Sequence, residues 1–170
     1  MQFDPLTADV LVLLGSISDR AMAEEIAPVL AEFGLSGQFE VCSAHRDHER
    51  LGALLSAAEA GSVRTIIAIA GKAAHLPGVC AAVSTLPVIG VPVESGMLGL
   101  DALLSIAQMP PGIPVGSVGV NAGKNAALLA VSIAATSRPE VAQQLKAYRQ
   151  KLRDSNRADS AKLKENLGKE

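Results

Sequence analysis

The stretch VLVLLGSISDR, Val10 to Arg20, decides the reading of the fold. Val10 to Leu14 is an unbroken apolar run, too short for a typical helix and without the polar alternation of a half-exposed strand, so it predicts a strand buried on both faces. Gly15 to Asp19 then supplies a glycine, two hydroxyls and a carboxylate, the residues of a turn into a helix, and helical spacing follows from Arg20 to Phe33. The same unit recurs outward along the chain. Phe39 to Cys42, Thr65 to Ala70, Pro87 to Pro92 and Pro114 to Val120 read as buried strands. Between and after them, Glu49 to Ala60, Leu76 to Val83, Leu98 to Ala107 and Asn125 to Ala135 read as helices.

Strand and helix in alternation predict a parallel sheet covered on both faces, and right-handed crossovers make that an α/β three-layer αβα sandwich of flavodoxin-like type. At 170 residues one such domain accounts for the body, residues 1–137. Residues 138–170 differ, holding nine Lys or Arg and five Asp or Glu, which leaves six basic and twelve acidic residues in the body. Val141, Leu145, Tyr148 and Leu152 form a narrow apolar stripe in that tail. It reads as a C-terminal helical extension, either solvated or laid on a neighbouring subunit of opposite charge.

Composition removes several function classes. Fifteen Lys or Arg against 17 Asp or Glu is not the basic balance of a nucleic-acid binder, and aromatics at 2% leave little to stack a base or a flavin ring. No apolar run approaches the roughly 20 residues that span a bilayer, and residues 1–9 lack a signal-peptide pattern, so no membrane partner and a cytoplasmic location are expected. Cys42 and Cys80 lack CxxC spacing and lie in apolar stretches, so they are expected as core residues. A light core of Ala, Val, Leu and Ile predicts a homo-oligomer.

The chemistry-bearing residues fall at strand ends, where parallel α/β sheets bind their ligands. Gly15 to Asp19 follows the first strand, Ser43 to Arg50 (SAHRDHER) the second, Gly71 to Gly78 (GKAAHLPG) the third, and Glu94 to Gly99 (ESGMLG) the fourth. Ser18 or Asp19 could simply cap the following helix; alternatively the hydroxyls and free N–H groups receive a phosphate while Asp19 accepts from sugar hydroxyls. Arg46 offers a planar fork for an anion, and His45 is the side-chain type best able to donate and accept a proton. His48 reads as a surface residue. His45, His48 and His75 lack a carboxylate or Cys partner in any familiar ligand spacing, so no metal is expected. No Walker loop, GxGxxG fingerprint or G-x-S-x-G elbow is present.

In this order GSISD, SAHR, AAHLPG, TLPVIGVPV, LDALLSIAQMPPGIPV and GKNAALLA resemble the N5-carboxyaminoimidazole ribonucleotide mutases of purine biosynthesis, from about Val10 to Ala135. The resemblance implies a homo-octamer without cofactor that moves a carboxylate from the exocyclic nitrogen to carbon 4 of a small ribonucleotide, by way of CO2. It further implies that Ser16, Ser18, Asp19, Ser43 and Arg46 hold the phosphate and ribose, that His45 moves the proton, and that Gly71, Ala74, His75 and Leu76 line the pocket around the base and carboxylate, with His75 beside His45 as a catalytic residue. Gln108, Met109 and Pro110 are expected at the pocket or a subunit contact. Two places depart from the family pattern: Lys72 interrupts the small-residue loop, and Glu94 to Gly99 is one residue shorter than usual. Both bear on two alternatives, a direct CO2-dependent aminoimidazole ribonucleotide carboxylase and a non-catalytic nucleotide-binding relative. An FMN protein would share the strand-end phosphate site.

Overall fold

The computed structural model of the chain describes residues 2–167. Among the described residues, five parallel strands, β1 (Val10–Leu14), β2 (Gly37–Val41), β3 (Thr65–Gly71), β4 (Val88–Val93) and β5 (Gly116–Ser117), form one sheet in the order β2-β1-β3-β4-β5. The helices are α1 (Arg20–Glu32), α2 (His48–Ala60), α3 (Leu76–Val83), α4 (Leu100–Ala107), α5 (Gly123–Ala134) and α6 (Pro139–Leu167).

Alternate side chains of the inner strands enter opposite cores, as a two-residue period requires. Val10, Val12 and Leu14 of β1 join Ile26 and Leu30 of α1 and Ala126, Ala130 and Val131 of α5 on one face. Leu11 and Leu13 join Leu51, Leu54 and Leu55 of α2, Cys80 of α3 and Ile106 of α4 on the other. These two clusters are the interfaces of the three-layer sandwich. Gly90 in β4 shows how closely the layers meet: a Cβ there would lie 2.4 Å from Ile106 Cγ2 and 3.2 Å from Pro77 Cβ, so only glycine lets α3 and α4 settle on the strand. Cys42 and Cys80 are both buried free thiols, and burial pushes Cys80 up to about 12.

The outer strands correct the sequence reading. β2 is an edge strand with Phe39 37% and Val41 43% exposed, and β5 shrinks to two exposed residues. An edge strand has one neighbour and less helix above it, so apolar composition alone does not report its burial. Helix α4 begins at Leu100 rather than Leu98, because Met97, Leu98 and Gly99 take positive φ angles of 42°, 55° and 77°. The first turns of α6 belong to the core: Val141 and Leu145 are buried with α1 and α5, and Tyr148 meets the Phe33 ring edge-on at 5.7 Å. Beyond Tyr148 the helix is exposed through Leu167.

Candidate active site

Strand order reverses direction between β1 and β3, and the crevice outside their carboxyl ends is where a doubly wound sheet leaves room for a ligand. Gly15 closes the first loop by donating its N–H to the Ile69 carbonyl at 3.0 Å. The cleft that opens there has a volume of about 420 Å³, within the range of small-molecule sites. Loops from four strand ends reach it.

After β1, Ser16 caps a short 3-10 turn over Ile17–Asp19, its hydroxyl accepting from the Ser18 N–H at 3.3 Å. Asp19 precedes α1 but makes no side-chain capping bond; its carboxylate instead accepts from the Ser18 hydroxyl at 3.2 Å. Capping by Ser18 or Asp19 is therefore not what occupies them: Ser16, Ser18 and Asp19 all line the cleft. Burial pushes the Asp19 carboxyl above its usual value, while the Ser18 hydroxyl and the Ser16 backbone pull it partly back.

After β2, Ser43, His45 and Arg46 line the same cleft. Asp47, not singled out in the sequence, caps α2 by accepting from the Arg50 N–H at 3.1 Å, which turns the chain sharply and leaves Ser43 to Arg46 as a loop. The Arg46 guanidinium donates to the Gly15 carbonyl at 2.8 Å, tying the second loop to the first. His48 enters α2 as its first residue and stays out of the cleft.

After β3, Gly71, Lys72, Ala73, His75 and Leu76 face the cleft, whereas Ala74 is 1% exposed and packs into the core beneath the loop. Ala74 thus supports the pocket rather than lining it. Gly71 has no room for a side chain, since a Cβ would stand 2.9 Å from Ser95 Oγ and 3.2 Å from the Val93 carbonyl. The central feature is a pair of imidazoles thirty residues apart in sequence: His45 Nε2 lies 2.8 Å from His75 Nδ1, with the rings at 71°. At that separation one ring nitrogen donates and the other accepts, so each ring's proton position depends on the other.

From β4 only Ser95 reaches the cleft, a residue the sequence marked as part of a polar loop but not as a site residue. Glu94 turns away, its backbone N–H donating to Asn121 Oδ1 at 3.0 Å. Met109 lies outside the cleft and covers Gly78 of α3, where a Cβ would meet its sulfur at 3.2 Å. Among the described residues no group of three His, Cys, Asp or Glu is placed to hold a metal ion.

Sheet order, layers and cleft together define a flavodoxin-like α/β protein whose polar chemistry is gathered at one strand-end site. The chain belongs to the AIR carboxylase family, whose model matches residues 9–155. It is 50% identical over 143 residues to the N5-carboxyaminoimidazole ribonucleotide mutase of Pyrococcus abyssi, covering 84% of this chain and 82% of that relative. With the enzyme of the same name from Methanocaldococcus jannaschii it shares 46% identity over 156 residues, 92% of this chain and 98% of the other. Its fold matches a crystal structure of Treponema denticola PurE at a TM-score of 0.84 and 33% identity, covering 91% of this chain and 98% of that one.

Proposed function

We propose that this chain is an N5-carboxyaminoimidazole ribonucleotide mutase of purine biosynthesis, converting the carbamate ribonucleotide to 4-carboxy-5-aminoimidazole ribonucleotide. The observation that carries the reading is the His45–His75 pair at 2.8 Å in a cleft whose other walls hold Ser16, Ser18, Asp19, Ser43 and Arg46. Arg46 with the hydroxyls of Ser16, Ser18 and Ser43 is chemically suited to the 5'-phosphate, and Asp19 to ribose hydroxyls. The family membership and the two mutases that share 50% and 46% identity with the chain support the same assignment.

The residues fit the bond changes the reaction requires. Protonation of the carbamate nitrogen by His45 lets the C–N bond break, releasing neutral CO2 and leaving an electron-rich aminoimidazole. Carbon 4 attacks that CO2, forming the new C–C bond, and His45 then takes the proton from carbon 4, so that no proton is gained or lost overall. CO2 offers no charge to grip, and confinement by small groups serves instead: Gly71 and Ala73 line the wall beside His75, with Ala74 beneath. His75, hydrogen-bonded to His45, fixes the ring that must donate first and accept later. No cofactor or metal has a role in these steps.

The assembly we assign is a homo-octamer in the cytoplasm. Self-association is supported by exposed apolar side chains on one segment, Met97 at 74%, Leu98 at 81%, Leu100 and Leu104, more than an isolated surface normally leaves together. We take residues 1–137 as the catalytic body and 138–170 as the helical tail, whose exposed Leu152 and Leu163 give it apolar contact points beyond the body. None of the helices among the described residues is long and apolar enough to cross a membrane.

The proton assignment is tested by His45→Asn. Turnover of the carbamate ribonucleotide should fall by about 10²-fold or more, the usual range for losing a general acid–base group, while ribonucleotide binding measured by calorimetry survives. Activity near that of the unmodified chain would remove His45 from the mechanism.

A further inference from the structure

Lys72 is the feature of the cleft that the reaction just described leaves without a task. It lines the cleft, it is exposed, and it forms none of the ion pairs or side-chain hydrogen bonds found among the described residues. Its φ of 56° lies in the left-handed region, where glycine sits without strain and a long side chain does not. The backbone beneath it is held in place, because Gly71 is packed against Ser95 Oγ and the Val93 carbonyl with no space for a Cβ. A strained backbone beneath an unpaired lysine at the wall of a ligand cleft is an arrangement that a solvated surface lysine does not need.

Charges around the cleft give the cation a direction. Arg46 comes from the loop after β2 and Lys72 from the residue that follows β3, and β1 lies between those two strands in the sheet. Asp19, the acid lining the cleft, belongs to the β1 loop and hydrogen-bonds with Ser18. The site therefore presents two cations from separate strand ends, one tied to the Gly15 carbonyl at the start of the β1 loop and the other three residues before His75. That suits a ligand with two anionic groups.

We propose that Lys72 is a specificity-determining residue whose ammonium binds the migrating carboxylate, so that the cleft holds carboxylated ribonucleotides in preference to the same ribonucleotide without its carboxylate. The inference rests on the mutase reading, in which the phosphate occupies the Arg46 side. In that reading the carbamate and the carbon-4 carboxylate are both anionic, whereas the intermediate CO2 is neutral and offers Lys72 nothing to hold. Lys72 thus strengthens both end states but not the neutral intermediate, so it lowers KM and kcat together and leaves kcat/KM little changed.

The test is calorimetric titration of 4-carboxy-5-aminoimidazole ribonucleotide and of 5-aminoimidazole ribonucleotide into the intact protein and into Lys72→Gly, Lys72→Met and Lys72→Arg. Lys72→Gly relieves the left-handed backbone, which keeps a folded charge-free variant available. Loss of one solvent-accessible charge contact predicts an affinity for the carboxylated nucleotide weaker by about fivefold in the Gly and Met variants. Affinity for the uncarboxylated nucleotide should stay within about twofold, Lys72→Arg should keep the preference, and added salt should narrow it. Equal weakening of both nucleotides would place Lys72 on the phosphate and overturn the proposal, as would no change in either. Failure of the unmodified chain to bind either nucleotide would overturn the mutase reading and this inference with it, an outcome distinct from binding without discrimination.

Discussion

Arg46 illustrates how a single side chain can serve both structure and ligand. One amine of its guanidinium is used on the Gly15 carbonyl at 2.8 Å, which orients the planar fork and leaves the remaining donors for an anion. Lysine cannot reproduce that geometry, having a compact ammonium in place of a fork. Arg46→Lys should therefore raise KM for the ribonucleotide by about tenfold with kcat changed far less, since the phosphate is held equally in the ground and transition states. Steady-state kinetics on both proteins checks this; a fall confined to kcat would move Arg46 from binding to chemistry.

At the level of elements, α6 is anchored far from the cleft, at the opposite ends of the strands. Arg138, just before α6, pairs with Asp9, just before β1, and Asp9 also accepts from the Ser36 N–H at 2.8 Å and from the Ser36 hydroxyl at 2.9 Å. Burial pushes the Asp9 carboxyl up, but the hydrogen bonds from Arg138 and Ser36 outweigh it and hold the carboxyl below its ordinary value of 3.8. A carboxyl lowered by folding contributes stability that is fully present above its unfolded value and is lost as pH falls through the folded one. Asp9→Asn should cost about 1–3 kcal/mol in denaturant unfolding near neutral pH, and the difference from the unmodified chain should shrink in acid. A difference constant across that acid range would mean that the ion pair is not what anchors the helix.

The elements also mark where sequence reading succeeds. Leu76–Val83 and Val10–Leu14 have the predicted bounds because a Leu-Pro start and an unbroken apolar run are local signals that burial reinforces. Phe39 and Pro114 to Val120 look equally apolar, yet their exposure depends on being at a sheet edge, which no local pattern encodes. The site behaves similarly. Ser16, Asp19, His45 and Arg46 were legible from their positions after strands, whereas the direct His45–His75 bond, the burial of Ala74 and the entry of Ser95 depend on how three separate loops pack.

For the whole molecule, the proposed homo-octamer would draw on an acidic body, a basic tail and an apolar segment at Met97 to Leu104. Leu98→Asp combined with Leu104→Asp should shift the mass in sedimentation toward smaller species, because a charge at a buried contact is costly while the same charge in water is not. An unchanged mass would remove this segment from the proposed subunit contact.

The cleft, its imidazole pair and the family relatives converge on one claim, that this chain transfers a carboxylate already attached to its substrate. The most direct measurement is turnover by the purified protein of two substrates in parallel: the carbamate ribonucleotide without bicarbonate, and 5-aminoimidazole ribonucleotide with CO2 supplied. Preferential turnover of the first is expected. Efficient turnover of only the second would contradict it and make the chain a direct carboxylase.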